Sequence, residues 1–334
     1  MQNKAIFKLL NPKDNIILSE FNNNDLKELL YYINEYYLEL RSSIALSKSD
    51  TFGFELEVEK IITNIIRKKI EYYLNKNWDL RDDRTLEDGC EVVSPMLCDK
   101  SELWLDVDNV CRILNKNAYV WYNSSGHIHM GTQVIGSKLQ TWKNFLLVWS
   151  TYENIIYRFL YGEYLTARES ITKYASPLSN LFYKKYQEIK NSDHIEIIDI
   201  TSIVPTPNRN VISFEKVKNY DEILKDNTVE FRGANNSLNG VIWQNNTIFL
   251  MSFVKFCKKE IDIEKIERRR KINEDIYDNL FFYDQIYLDQ AIELCDMIFD
   301  KNIDKVYFLR QYLKSFQVGN RNLQKAKRFT KKNA

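Results

Sequence analysis

Glu55 and Glu57 stand two residues apart in TFGFELEVE (51–59), where Phe52, Phe54, Leu56 and Val58 alternate with Gly53, Glu55, Glu57 and Glu59. Side chains two apart on a strand point the same way, so both carboxylates can meet one divalent cation or two adjacent ones. Burying carboxylates together costs energy unless a cation or a proton neutralises them. Alternating Glu is also the pattern of a solvated edge strand, and Glu59, at the strand's end, fits that description. A second acid, Glu91, stands among apolar residues in DDRTLEDGCEVVSP (82–95), either awaiting a partner or as an ordinary strand-start glutamate. Two of the chain's three histidines form the HxH of SSGHIHMG (124–131), His127 and His129, which share a strand face beside Gly126, a residue that lets backbone pass close to a ligand. Paired imidazoles suit Zn, Mn or Fe, whereas Mg prefers oxygen. In NTVEFRG (227–233) Glu230 and Arg232 again share a face, as a structural ion pair or as a metal ligand beside a phosphate clamp. The third histidine, His194, lies in a polar run and reads as surface.

Elements of regular structure must position these groups. Period-two patterning predicts strands at 51–59, 78–83, 89–95, 195–204 and 227–233, with a strand pair around 118–131 broken at 123–126. Helical spacing of apolar residues predicts helices at 25–40 with Asn24 as N-cap, at 60–76, from Ser101 onward, at 139–160 and at 241–258, with helical pattern continuing to Phe316. The order of elements is α+β, an antiparallel sheet flanked by helices. No internal repeat or convincing domain boundary interrupts it.

Composition narrows the classes. Forty-seven Lys and Arg against 46 Asp and Glu leave no global charge to attract nucleic acid or an anionic membrane. The basic cluster Arg268-Arg269-Arg270-Lys271 and the basic tail 324–334 read as solvated faces without aromatic recognition residues. Five scattered cysteines without a CxxC pair suggest neither a disulfide framework nor a thiolate zinc site, and fit a reducing cytoplasm. The N-terminal MQNKAIFKLLNPKDN has no signal-peptide core. The uncharged stretch at 233–254 holds five Asn residues, too polar for a lipid-facing span. A soluble cytoplasmic protein is expected. No GxxxxGK[ST] loop is present, so phosphates are not held in the P-loop manner.

Taken in order, FGFELEVE, DGCEVVSP, NSSGHIHMG and TVEFRG resemble the motif series of the putative amidoligase family, over roughly 51–254. The resemblance implies a compact relative of the glutamine synthetase catalytic domain, whose antiparallel sheet forms an open funnel. By that resemblance Glu55, Glu57, Glu91, His127 or His129, and Glu230 are metal ligands, and Glu230 and Arg232 act in catalysis. Arg232 would stabilise the transferred phosphoryl group, and Arg168, with Lys173 and Arg209, would bind nucleotide or substrate. The implied cofactors are ATP and Mg2+ or Mn2+. The implied partners are a small-molecule or peptide carboxylate and an amine, without membrane or nucleic acid. The implied activity is amide formation through an acyl phosphate, because a carboxylate oxygen is a very poor leaving group until phosphorylated. A metal-dependent hydrolase or phosphotransferase using the same Glu/His set, or a non-catalytic binding protein, is the competing assignment. Two positions depart from the family pattern: Arg84 where Gly is common, and an HxH that directly follows Gly126. Residues 51–258 are read as the catalytic domain, 1–50 as a helical extension, and 259–334 as a helical segment and tail packed on that domain.

Overall fold

The computed structural model describes residues 15–59, 64–74, 77–86, 88–120, 124–164, 167–205, 209–272, 274–278, 283 and 287–313. The alternation at 51–59 becomes strand β1 (Phe52–Val58), which lies inside a six-stranded sheet. The other strands are β2 (Asp79–Asp82), β3 (Cys90–Val93), β4 (Ser125–Gly131), β5 (Ile212–Ser213) and β6 (Thr228–Asn235). They run in the order β2-β3-β1-β4-β6-β5, and every neighbouring pair is antiparallel.

One face of the sheet is apolar and carries the helices. Helices α1 (Asn23–Glu35), α2 (Asn64–Tyr73), α3 (Ser101–Asn117) and α4 (Leu139–Leu160) come first. They are followed by α5 (Ile171–Tyr174), α6 (Ser179–Ile189), α7 (Ile197–Thr201), α8 (Gly240–Cys257), α9 (Ile263–Ile272), α10 (Leu288–Ile298) and α11 (Asn302–Leu313). Aromatic contacts join the layers: Phe52 stacks on Trp104 of α3 at 5.0 Å, Phe54 meets Trp243 of α8 at 5.4 Å, and Phe231 meets Trp149 of α4 at 5.8 Å. One buried cluster runs from Leu18 to Tyr312, so the described residues on either side of the sheet region share its core. The Asn-rich helix α8 is buried, and its polar groups are used. Asn245 donates to Tyr307 O and Gln311 Oε1, and Gln311 in turn donates to Asn246 Oδ1. Among the described residues no helix is long and apolar enough to cross a membrane. All five cysteines are free.

Several local expectations change. The β-branched run at 195–204 forms helix α7 instead of a strand; Ile197, Ile200, Thr201 and Val204 are buried at i, i+3, i+4 and i+7, while Ile198 is exposed. Helix α1 stops five residues short of Leu40, and Asn22, not Asn24, caps it by accepting from Asn24 N and Asp25 N. Of the strand pair expected around 118–131, the described residues show β4 and an isolated bridge from Tyr119 to Glu59. Glu59 is 1% exposed, so it is not a solvated edge residue. The predicted basic tail lies outside the described residues.

Candidate active site

The second face of the sheet gathers the chemistry. Because Phe54 and Leu56 point into the helices, Glu55 and Glu57 point away from them. The register then places functional residues side by side: Glu55 opposite His127, Glu57 opposite Glu91, Arg81 opposite Glu91, and His129 opposite Glu230. A register shift between β4 and β6 at Gly126/Ile128 puts one extra residue in β6, so that Ala234 and Asn235 pair with Gly126 and Ser125 beyond Glu230 and Arg232. Glu55, Glu57, His127, His129 and Glu230 are all at most 8% exposed, and Glu91 is half-buried.

His127 is the hub of the cluster. Its Nδ1 lies 2.9 Å from Glu55 Oε2 and 3.1 Å from Glu230 Oε1, and its Nε2 lies 3.6 Å from Glu57 Oε1. His129 Nε2 is 3.1 Å from Glu55 Oε1, and its Nδ1 is 3.1 Å from Thr228 Oγ1. Glu57 accepts from the backbone N–H of Ser125 at 2.5 Å and from the Ser125 hydroxyl. Arg232 Nη1 is 2.6 Å from Glu230 Oε1, while its Nε donates to Tyr174 O.

These contacts set the proton affinities. Burial works to raise the Glu55 pKa, but hydrogen bonds from His127 and His129 outweigh it and hold the carboxyl well below its usual range. Burial opposes the same partners at Glu230, which ends at about 2 through His127 and Arg232. Burial would lower His127, yet Glu230 and Glu55 push it up to about 9. At Glu91 burial, and then the charge of Glu55, outweigh the charge of His127 and push the carboxyl up to about 7.

The cluster floors an open cavity of about 970 Å3. Seven carboxylates line it (Glu55, Glu57, Asp83, Glu91, Glu169, Glu215 and Glu230) against five cationic side chains (Arg81, Lys173, Arg209, Lys216 and Arg232). Three overlapping sets of side chains bring ligand atoms within 4.8 Å of one another: Glu55 with His129 and Glu230, Glu55 with Glu91 and His127, and Glu57 with Asp83 and Glu91. Oxygen-rich sets such as these, two with one imidazole and one with none, suit Mg2+ or Mn2+. A sequence profile described as "putative amidoligase enzyme" matches residues 73–254, more than half of the chain. The chain belongs to that family. No curated protein matches it. The amidoligase match begins after β1, so it takes in Glu91, the HxH pair, Glu230 and Arg232 but leaves out Glu55 and Glu57.

Among the residues singled out in the sequence, Arg168 is not part of the cavity wall. It is 1% exposed, and its guanidinium donates to Ala234 O at 2.6 Å and Arg232 O at 2.9 Å, while its backbone N–H donates to Asn235 Oδ1. Burial lowers its pKa to about 10, partly offset by the charge of Glu57. Arg168 therefore buttresses the backbone of β6 from behind, while Lys173 and Arg209 do line the cavity. Sequence reasoning passed over Asp83, Arg81, Ser125 and Lys216. Arg81 and Asp83 could have been found by extending the period-two count through 78–83, since odd positions there continue the polar face. Lys216 belongs to the connection between β5 and β6 and carries no sequence signal.

Proposed function

We propose that this amidoligase is an ATP-dependent carboxylate–amine ligase built on a glutamine synthetase-like sheet. The observation that carries the reading is the convergence, from four strands, of Glu55, Glu57, Glu91, His127 and Glu230 on one floor ringed by Arg and Lys, with His129 beside Glu55 in the adjoining cavity. Glu57, Asp83 and Glu91 would hold one divalent cation, and Glu55 with Glu230 and an imidazole another. When bound, Mg2+ or Mn2+ supplies charge neutralisation between the floor and the phosphates. The chain's own residues do the rest. Arg232 presents a guanidinium, fixed by Glu230 and Tyr174 O, to the oxygens of the transferring phosphoryl group. Lys173 and Arg209 face the same space from the rim and draw in the triphosphate. The substrate carboxylate attacks the γ-phosphorus and ADP leaves; the amine, as its free base, then displaces phosphate from the acyl carbon and gives up one proton to solvent.

The reaction is tested by incubating the protein with ATP, Mg2+ or Mn2+, and mixtures of amino-acid or peptide carboxylates with amines. ADP release should require metal, acid and amine together, and mass spectrometry should find the amide. Glu57→Gln and Glu230→Gln should each abolish it. Full turnover in both variants, or transfer of phosphate to water with no need of an amine, would overturn the assignment.

A further inference from the structure

Beside the acidic floor, and sharing Glu55, Arg81 and Lys216 with it, lies a second cavity of about 430 Å3. That volume is in the range of small-molecule sites. Charged and apolar groups both line it: Glu55, Asp79, Lys216 and Asp226 among the first, Pro95, Met96 and Leu224 among the second. Met96 and Leu224 are 58% and 40% exposed, an unusual placement for two large apolar side chains flanking one opening.

Both walls are held by hydrogen bonds. Asn227 is buried and ties down the connection that carries Lys216 and Leu224: its Oδ1 accepts from Lys218 N at 2.8 Å and Asn219 N at 3.1 Å, and its Nδ2 donates to Asn219 O at 2.7 Å and Glu222 O at 3.1 Å. Across the opening, Ser94 Oγ accepts from Phe54 N and donates to Pro95 O, both at 2.8 Å, which fixes the turn leading to Met96.

Lys216 shows what the neck between the cavities accepts. Its Nζ is 3.2 Å from Glu55 Oε1, although the lysine side chain remains 41% exposed. A primary ammonium on an unbranched alkyl stem thus already sits on a buried carboxylate, at the end of a long, flexible side chain. We propose that the second cavity is the subsite for the amine reactant: it binds a primary alkylamine as its ammonium, in place of that of Lys216 at Glu55, with the apolar chain running past Pro95 to Met96 and Leu224, and the nitrogen gives up a proton to solvent before it reacts. The assignment of this ligand as a reactant rests on the ligase reading above; its binding does not.

Calorimetric titration of the full chain, without nucleotide, with methylamine, propylamine and pentylamine tests the subsite. A buried methylene changes an equilibrium by roughly fourfold. Pentylamine should therefore bind at least tenfold more tightly than methylamine. Met96→Asp combined with Leu224→Asp should erase that difference; both side chains are exposed, and circular dichroism checks that the variant folds. Lys216→Met should tighten pentylamine binding by removing the competing ammonium. Equal affinity for the three amines, or hexanoate binding as tightly as pentylamine, would overturn the subsite. Parallel ADP-release assays separate the two claims. Chain-length-dependent binding without ADP release from any acid and amine keeps the subsite and sinks the ligase. Release that every amine supports alike, with no chain-length dependence of binding, does the reverse.

Discussion

Replacing Gly126 by alanine probes how the helical layer sets the position of the histidine strand. A Cβ built there would lie 2.0 Å from Trp243 Cη2 and 2.7 Å from Cζ2. Carbon atoms in contact normally sit at about 3.5–4.0 Å, so strand and indole must separate by about 1.5 Å. The indole has little freedom to yield: it is fully buried, its Nε1 donates to Ser237 O at 2.8 Å, and Phe54 packs 5.4 Å from it. Overpacking of this kind costs about 1–3 kcal/mol, and two sub-contact approaches place Gly126→Ala near the top of that range. Reduced freedom of the unfolded chain returns about 0.4–1 kcal/mol, which leaves a net loss of about 2 kcal/mol.

Urea denaturation followed by circular dichroism measures the loss, and Trp243→Phe supplies the control. Shrinking the indole to a phenyl ring makes room, so alanine at 126 should cost at least about 1 kcal/mol less in the Trp243→Phe background than in the natural one. A loss below about 0.5 kcal/mol, or the same loss in both backgrounds, would refute the argument. The outcome bears on the site because Gly126 lies between Ser125, which binds Glu57, and His127, which binds Glu55 and Glu230. The glycine therefore serves an approach to the core, and not, as its place beside the HxH pair first suggests, an approach to a ligand.

Other outcomes follow from the same structure. Glu153 is fully buried in α4, and burial raises its pKa from 4.5 to about 7 against hydrogen bonds from Leu178 N, Ser179 N and Trp149. The folded pKa exceeds the unfolded one, so the protonated acid favours the fold; the contribution is complete below about pH 4.5 and is lost as pH rises through about 7, a fall of about 3 kcal/mol that should be missing from denaturation curves of Glu153→Gln. Asn227→Ala removes four backbone hydrogen bonds from the β5–β6 connection and should cost about 2 kcal/mol in thermal or urea unfolding, with a matching loss of alkylamine affinity. Mn2+ should raise the melting temperature of the natural protein, and Glu57→Gln should remove most of that rise in differential scanning fluorimetry; an unchanged rise would show that the metal binds elsewhere.

Much of this was legible in the residues, for reasons that particular segments make plain. Helix α4 matches the expected 139–160 at both ends because its apolar stripe is long and unbroken. The pairs Glu55/Glu57, His127/His129 and Glu230/Arg232 could be put on common faces because strand periodicity is local. Which strands are neighbours is not local: that Glu57 faces Glu91 depends on β3 pairing with β1 across about thirty residues of chain. The direction of a long side chain is equally hidden. Arg168 sits where a phosphate ligand was expected, yet two backbone carbonyls of β6 take its guanidinium. At 195–204, β-branched residues pointed to a strand, while the burial of every third or fourth residue made the helix.

The electrostatics of the floor explain why the fold tolerates so many acids there. Glu57 and Glu91 stand directly opposite each other on neighbouring strands, an arrangement of like charges that weakens a sheet. Around Glu55 and Glu230 the repulsion is met by His127, whose raised pKa of about 9 keeps it an imidazolium at neutral pH, and by Arg232. At Glu91 the charge of His127 does not outweigh burial, and the carboxyl holds its proton to about pH 7. The charge of the floor is thus offset in part by His127 and Arg232 and in part by the proton on Glu91. A divalent cation at Glu57, Asp83 and Glu91 would displace the proton of Glu91, so metal binding there should release about one proton per ion below pH 7 and fewer above it. Titration of Mn2+ in two buffers of different ionisation enthalpy measures that release. Proton release that does not change between pH 6 and 8 would place the cation away from Glu91.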